Sequence, residues 1–287
     1  MLKRLVLLAA AALLTGQQAI ASPWLTSIAA AQKKAKEKNQ LIFVDLFAEW
    51  CGWCHRFEQE VIPSQAFQNA TDDMVLLRLN TEDGADGTKL ARDLGVSSLP
   101  TFLVLTSDVM IAGTIRGYAP PAEFAKSLGG LETDFANFKK RVATEDSSKD
   151  YQKRFDLAKD FRARYGLVQS ETRFRKLTTD SGVPADLRDQ AYYELAVTQM
   201  IAKKYDESRN TIAAFGKIQS KGDAYEKSRL LLGDTYLQQG NYAGAIAEYK
   251  KFKAAYPTSP FIKNIDNLIP QIERQIQTTA ASTTGKK

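Results

Sequence analysis

Three short apolar runs stand out in the first half of the chain. LIFVDLF at 41–47 is broken only by Asp45, MVLLRLN at 74–80 follows it, and TFLVL at 101–105 comes directly after a proline. Runs of that length, rich in β-branched and aromatic residues, predict strands buried in a sheet. Pro100 fits this reading, because proline is tolerated at the first residue of a strand and disfavoured inside a central one; simple punctuation of a turn is its other reading. Between the runs the period changes. CHRFEQEVI at 54–62 sets Phe57, Val61 and Ile62 along one side of a helix, DGTKLARDLG at 86–95 is helical, and AAAQKKAKEK at 29–38 reads as an amphipathic helix. Strands alternating with helices predict an α/β domain.

Residues 132–150, ending in TEDSSKD, turn polar and predict a linker. Almost every segment beyond it has helical spacing. In LLLGDTYLQQGNYAGAIAEYKKFKAAYP at 230–257, the positions of Leu232-Gly233, Tyr236, Gly240, Tyr242, Ala245, Tyr249 and Pro257 resemble a tetratricopeptide repeat. A degenerate copy holds Tyr192, Leu195-Ala196, Tyr205, Ile212 and Phe215, and a fainter one Leu157-Ala158 and Phe161. Small residues such as Gly233 and Ala245 let paired helices approach, with tyrosines filling the gaps. This predicts an all-α helical-repeat domain over 151–273 whose concave face takes a protein ligand. TTAASTTGKK ends a tail, 274–287, that is expected to be flexible.

The first 21 residues differ from both halves. Lys3 and Arg4 precede an apolar run from Leu5 to Leu14, and Ala19-Ile20-Ala21 forms an A-x-A site before Ser22, the pattern of a cleavable signal peptide. The run is short of the roughly 20 residues of a membrane span, and no later stretch is apolar enough for one. The expectation is a mature protein of the periplasm or another extracytoplasmic compartment, with a first domain over 22–131. The chain is 44% hydrophobic and 25% charged, and its formal charge of +6 falls by two if the signal is removed. Lys and Arg are interspersed with Asp and Glu along both halves, which speaks for solvated helix faces and against a nucleic-acid surface.

Chemistry concentrates in EWCGWCHRF at 49–57, which holds both cysteines and the one histidine of the chain. Cys51-Gly-Trp-Cys54-His55 reads on paper as a c-type haem attachment site or as a redox dithiol. A purely structural disulfide is a poor account, since so small a loop removes little unfolded-state entropy. Zinc is worse served, because two cysteines and one histidine leave a tetrahedral shell incomplete. A buried strand leading into the first cysteine and a strand-opening Pro100 belong with the dithiol, and Met74, Met110 and Met200 lie in apolar runs where packing explains them. At a strand-to-helix junction, the helix N-terminus favours the Cys51 thiolate. Asp45, a carboxylate in an apolar strand, is costly to bury ionised and becomes a candidate acid/base, or else a hydrogen-bonded core aspartate. Trp50 and Trp53 are either packing or an apolar collar for substrate peptides. His55 has nothing to orient it for catalysis.

Taken together, VDLFAEWCGWC, LLRLN, GVSSLPTFLVL and IRGY resemble the thioredoxin superfamily over about residues 25–130. DLFAEWC, FEQEV, VLLRLN and LPTFLVL resemble, within it, the C-terminal periplasmic domain of bacterial thiol:disulfide interchange reductases. The resemblance implies a central mixed sheet flanked by helices. It also implies a nucleophilic Cys51, a resolving Cys54 and a buried carboxylate, Asp45, that assists proton transfer at the second thiol. It makes Pro100 a cis-proline facing the dithiol, Leu99 the residue whose backbone receives a substrate chain, and Trp50 the flanking tryptophan. Gly52-Trp53 departs from the Gly-Pro of thioredoxin, a pair that tunes redox poise. The implied function is thiol–disulfide exchange on protein thiols or disulfides, with reduction favoured and the oxidase or isomerase direction left open by the central pair, and with no cofactor beyond the Cys51–Cys54 pair and no metal. A membrane or periplasmic electron-transfer partner is then required. The competing expectation is a non-enzymatic repeat-based adaptor or chaperone with an idle dithiol.

Overall fold

The computed structural model describes residues 24–284, so the expected signal segment lies outside the described residues. The first part runs α1 (Ile28–Lys38), β1 (Ile42–Phe47), α2 (Gly52–Glu60), α3 (Gln65–Ala70), β2 (Val75–Asn80), α4 (Asp86–Asp93), β3 (Thr101–Leu105) and β4 (Ile111–Arg116). The strands form one mixed sheet in the order β2-β1-β3-β4, with β1 parallel to β2 and antiparallel to β3, and β3 antiparallel to β4. The three apolar runs are therefore adjacent, and β1 and β3 are buried along nearly their whole length.

Alternation along β1 splits its side chains between two cores. Ile42, Val44 and Leu46 join Leu77, Leu79, Leu90, Leu103 and Ala31 under α1 and α4. Phe43 faces the other way, into a nest of aromatic rings with Phe57, Phe67, Phe102 and Phe124, whose closest pair of centroids, Phe57 and Phe102, is 4.2 Å apart. Such buried rings contribute through both area and edge-to-face contact. Asp45, two residues on from Phe43, shares its face. That is the side on which α2 packs.

The expected linker over 132–150 is not one. Helix α5 (Pro121–Glu145) runs unbroken through most of it, and its Phe135 and Phe138 are buried in the same core as the aromatic nest. Phe161 of α6 (Tyr151–Ala163) completes that core, its ring centroid 5.0 Å from that of Phe138. The polar residues up to Glu145 occupy the outer face of the helix, and only 146–150 form a short turn into α6. Contacts continue beyond α6. The Ile111 N–H of edge strand β4 donates to the Arg164 carbonyl at 2.7 Å, and the Arg164 guanidinium donates to the Ala112 carbonyl at 2.8 Å, so backbone that would otherwise stand open is covered.

The rest is helical: α7 (Leu167–Thr179), α8 (Ala185–Ile201), α9 (Tyr205–Ile218), α10 (Asp223–Gln238), α11 (Tyr242–Ala255) and α12 (Ile262–Thr284). An ideal Cβ on Gly233 of α10 would come within 2.4 Å of the Tyr249 ring on α11, so a bare backbone is what lets this pair close. The Tyr249 hydroxyl donates to Asp234 Oδ1 at 2.6 Å. The tail also differs from expectation, because α12 continues to Thr284. Ile265, Ile269 and Ile272 anchor its first turns against α11, and extending a helix already nucleated costs little. Among the described residues, no helix is long and apolar enough to cross a membrane.

Candidate active site

Strand β1 delivers the chain to a turn in which the Cys51 N–H donates to the Ala48 carbonyl at 3.0 Å, and α2 starts there. Cys51 is the N-cap: its Sγ accepts the Cys54 N–H at 3.2 Å, and its carbonyl accepts the N–H groups of Cys54 and His55. The two cysteines are joined as a disulfide across this first turn. Unpaired N–H groups and the helix dipole stabilise negative charge at the N-cap sulfur. Exposure does not separate the two sulfurs, since Cys51 is 4% and Cys54 2% exposed. Position on the helix is what distinguishes them.

Leu99 and Phe47 pack on the disulfide. Leu99–Pro100 is a cis peptide, as the resemblance implied. Gly117, at a φ of 82° that favours glycine, donates its N–H to the Pro100 carbonyl at 2.9 Å and ties the end of β4 to this loop. Among the described residues, neither the N–H nor the C=O of Leu99 has a hydrogen-bond partner. Both sulfurs are bonded to each other, and His55 Nε2 is 2.8 Å from the Glu49 carbonyl.

Asp45 is 2% exposed, and its Oδ1 is buried without a hydrogen-bond partner. Burial is the main cause that pushes its pKa up to about 7; Arg78, with Nε 3.2 Å from Oδ2, pulls it down, and Glu58 pushes it further up. Arg78 contributes less to Asp45 than it could, because its two terminal nitrogens fork onto the Glu58 carboxylate at 2.6 and 2.9 Å. That hydrogen bonding holds Glu58 below the usual carboxylate range. The guanidinium also lies 4.3 Å from the Phe47 ring centre. Sequence reasoning missed Arg78 and Glu58. Asp45 and Arg78 are the charged residues of β1 and β2 and stand in register across the parallel ladder, which is the signal that could have found Arg78.

The two tryptophans that frame the dithiol are exposed, Trp50 at 69% and Trp53 at 54%. Trp53 lies against Tyr118 at 5.4 Å between centroids, with the Arg56 guanidinium over both rings. Glu60 pairs with Arg56 at 2.9 Å and accepts the Tyr118 hydroxyl. Trp50 is held differently, by its Nε1 donating to Glu82 at 2.7 Å. No cluster of side chains able to hold a metal ion occurs among the described residues.

A mixed sheet whose first central strand leads to a C-x-x-C pair at a helix start, opposite a cis-proline, defines a thioredoxin-like domain, and residues 28–131 match the thioredoxin-like domain family. Among curated proteins the chain is similar to the thiol:disulfide interchange protein DsbD of Citrobacter koseri, 38% identical over 82 residues, and to that of Escherichia coli K12, 36% identical over 73 residues. These matches take in 28% and 25% of this chain and 14% and 13% of the relatives, so the chain spans only a small part of their length. Among solved structures it is similar to the oxidised C-terminal domain of Neisseria meningitidis DsbD, 18% identical with a TM-score of 0.33, over 36% of this chain and 90% of that one.

Proposed function

We propose that the protein is an extracytoplasmic thiol–disulfide oxidoreductase that reduces protein disulfides. The observation that carries this reading is the Cys51–Cys54 pair, bonded across the first turn of α2 with Cys51 as N-cap, on the sheet face that also holds the Asp45 carboxyl. In the reduced protein the Cys51 thiolate attacks one sulfur of a client disulfide, and the other client sulfur leaves as a thiolate and takes a proton. Cys54 then gives its proton to the Asp45 carboxylate and attacks Cys51 Sγ. The second client sulfur leaves as a thiolate and takes a proton, Asp45 gives up the one it received, two electrons have passed to the client, and Cys51–Cys54 is left oxidised. An electron-transfer partner with a reactive dithiol restores it. Gly52, Trp53 and the free main chain of Leu99 form the surface on which a client strand lies.

The helical half, read as tetratricopeptide-like, holds the client or the partner near Cys51 and so raises its effective concentration. The charged, apolar and A-x-A pattern of residues 1–21 supports export. The test is reduction of insulin by dithiothreitol with catalytic amounts of protein. The expected result is acceleration that Cys51→Ser abolishes, with Cys54→Ala accumulating mixed disulfides. No acceleration by the wild type would replace this reading with that of an adaptor.

A further inference from the structure

The two flanks of the dithiol differ in charge, and the sheet order explains how. On the β4 side, Trp53 is already covered by a cation of its own chain, Arg56, and Arg116 ends the edge strand. On the β2 side, Trp50 rests on the acidic loop NTEDGADG at 80–87, with its ring nitrogen bonded to Glu82 and Glu49 next to it in sequence. Burial pushes the Asp83 carboxyl up, but the N–H groups of Ala85, Gly87 and Thr88 that it accepts together outweigh this and hold it below the usual range. Among the described residues, no Lys or Arg forms an ion pair with Glu49, Glu82 or Asp83, and none lies over the Trp50 ring. Arg78 feels the charge of Glu49, but its guanidinium is committed to Glu58 and Asp45. An exposed indole face bordered by carboxylates without cations of their own is the chemistry that receives an ammonium or guanidinium group.

We propose that Trp50, Glu49 and Glu82 form a receptor for a basic side chain of the client, beside the half-cystine that Cys51 attacks. This rests on the disulfide-exchange reading above and adds the client's chemistry to it. The polarity of the two flanks also orients the client, placing its basic residue over β2 and leaving the Trp53–Tyr118 pad for apolar contact.

The experiment uses the full chain, reduced with dithiothreitol and freed of it, mixed with disulfide-bonded peptides that differ only in carrying Lys, Ala or Glu beside the cystine. Each exchange moves two electrons and two protons from the Cys51–Cys54 dithiol to the peptide disulfide. Hydroxyethyl disulfide, which is neutral, normalises every variant. At low ionic strength the Lys peptide should react about fivefold faster than the Ala peptide and the Glu peptide more slowly than either; about 0.5 M salt should compress the series. Glu82→Gln keeps an acceptor for the Trp50 N–H but removes the charge, and with Glu49→Gln it should bring the Lys-to-Ala ratio close to one. Asp72→Asn makes the same change of net charge at the opposite end of β2 and should leave that ratio in place. Equal rates for the three peptides, or a preference that Glu49→Gln/Glu82→Gln retains, would overturn the receptor while leaving disulfide exchange standing. Failure with hydroxyethyl disulfide as well would overturn both.

Discussion

Asp45 carries an energetic cost that its surroundings reduce only in part. Folding raises its pKa from the usual aspartate range to about 7, so between pH 4 and pH 7 the folded protein keeps a proton that the unfolded chain has released. Stability from this group is therefore full at low pH and falls as pH climbs through that window. Asp45→Asn should flatten the slope and raise stability at pH 8 by on the order of 2–4 kcal/mol, read by urea unfolding at pH 4.5 and pH 8. In the proposed exchange the same substitution removes the base for Cys54. The resolving step should slow by about 10²-fold and lose its rise in rate through neutral pH, measured by stopped-flow on a preformed mixed disulfide. A destabilising Asp45→Asn with an unchanged resolving rate would make Asp45 a structural residue only. At the dithiol itself, helix position rather than exposure divides the roles. Alkylation of the reduced protein at mildly acidic pH should label Cys51 about tenfold faster than Cys54.

Elements were legible in the sequence where a single local pattern decided them. β1 and β3 are buried on both faces and read as unbroken apolar runs, while β4, whose residues are mostly half-buried, offered no such run and went unrecognised apart from its end at IRGY. The core role of α5 was hidden because Phe135 and Phe138 are spaced among charges that only a helix turns outward. At the site, Cys51, Cys54 and Asp45 could be named from type and position, whereas the Arg78 fork to Glu58 needs the β1–β2 register and the placement of α2 beside it. Glycines show where a repeat pattern does carry this information. Gly129 of α5 is exposed with nothing near its missing Cβ, so Gly129→Ala should stabilise by about 0.5–1 kcal/mol through helix propensity. Gly233 is the opposite case, a close-approach position already marked by the repeat spacing: its Cβ would meet the Tyr249 ring, which is fully buried and bonded to Asp234. Overpacking of about 1–3 kcal/mol then outweighs the propensity gain, and Gly233→Ala should destabilise; paired urea titrations of the two variants decide it.

For the whole molecule the consequence of α5 is mechanical. Phe135 and Phe138 on α5, and Leu157 and Phe161 on α6, belong to one core with Phe43, Phe57, Phe102 and Phe124. β4 is tied to Arg164, and Lys203 of the helical half pairs with Asp93 of α4 at 2.9 Å. A cut at residue 131 would pass through α5 and expose that core, so the boundary expected from composition does not delimit a part that should fold alone. The helical half is held at a fixed place relative to the dithiol, and whatever it binds is presented from one direction. This makes a claim about unfolding. All three tryptophans, Trp24, Trp50 and Trp53, report on the α/β part, whereas far-UV circular dichroism is dominated by the helices beyond it. If the shared core couples the two, both signals should trace one transition in urea, as two-state behaviour requires. Phe161→Ala, a substitution outside the sheet and remote in sequence from every tryptophan, should lower stability by about 3–5 kcal/mol and move the two transitions together. Separate midpoints in the wild type, or a Phe161→Ala shift confined to the circular dichroism, would show that the halves unfold independently and that the helical part is free to swing about the active site.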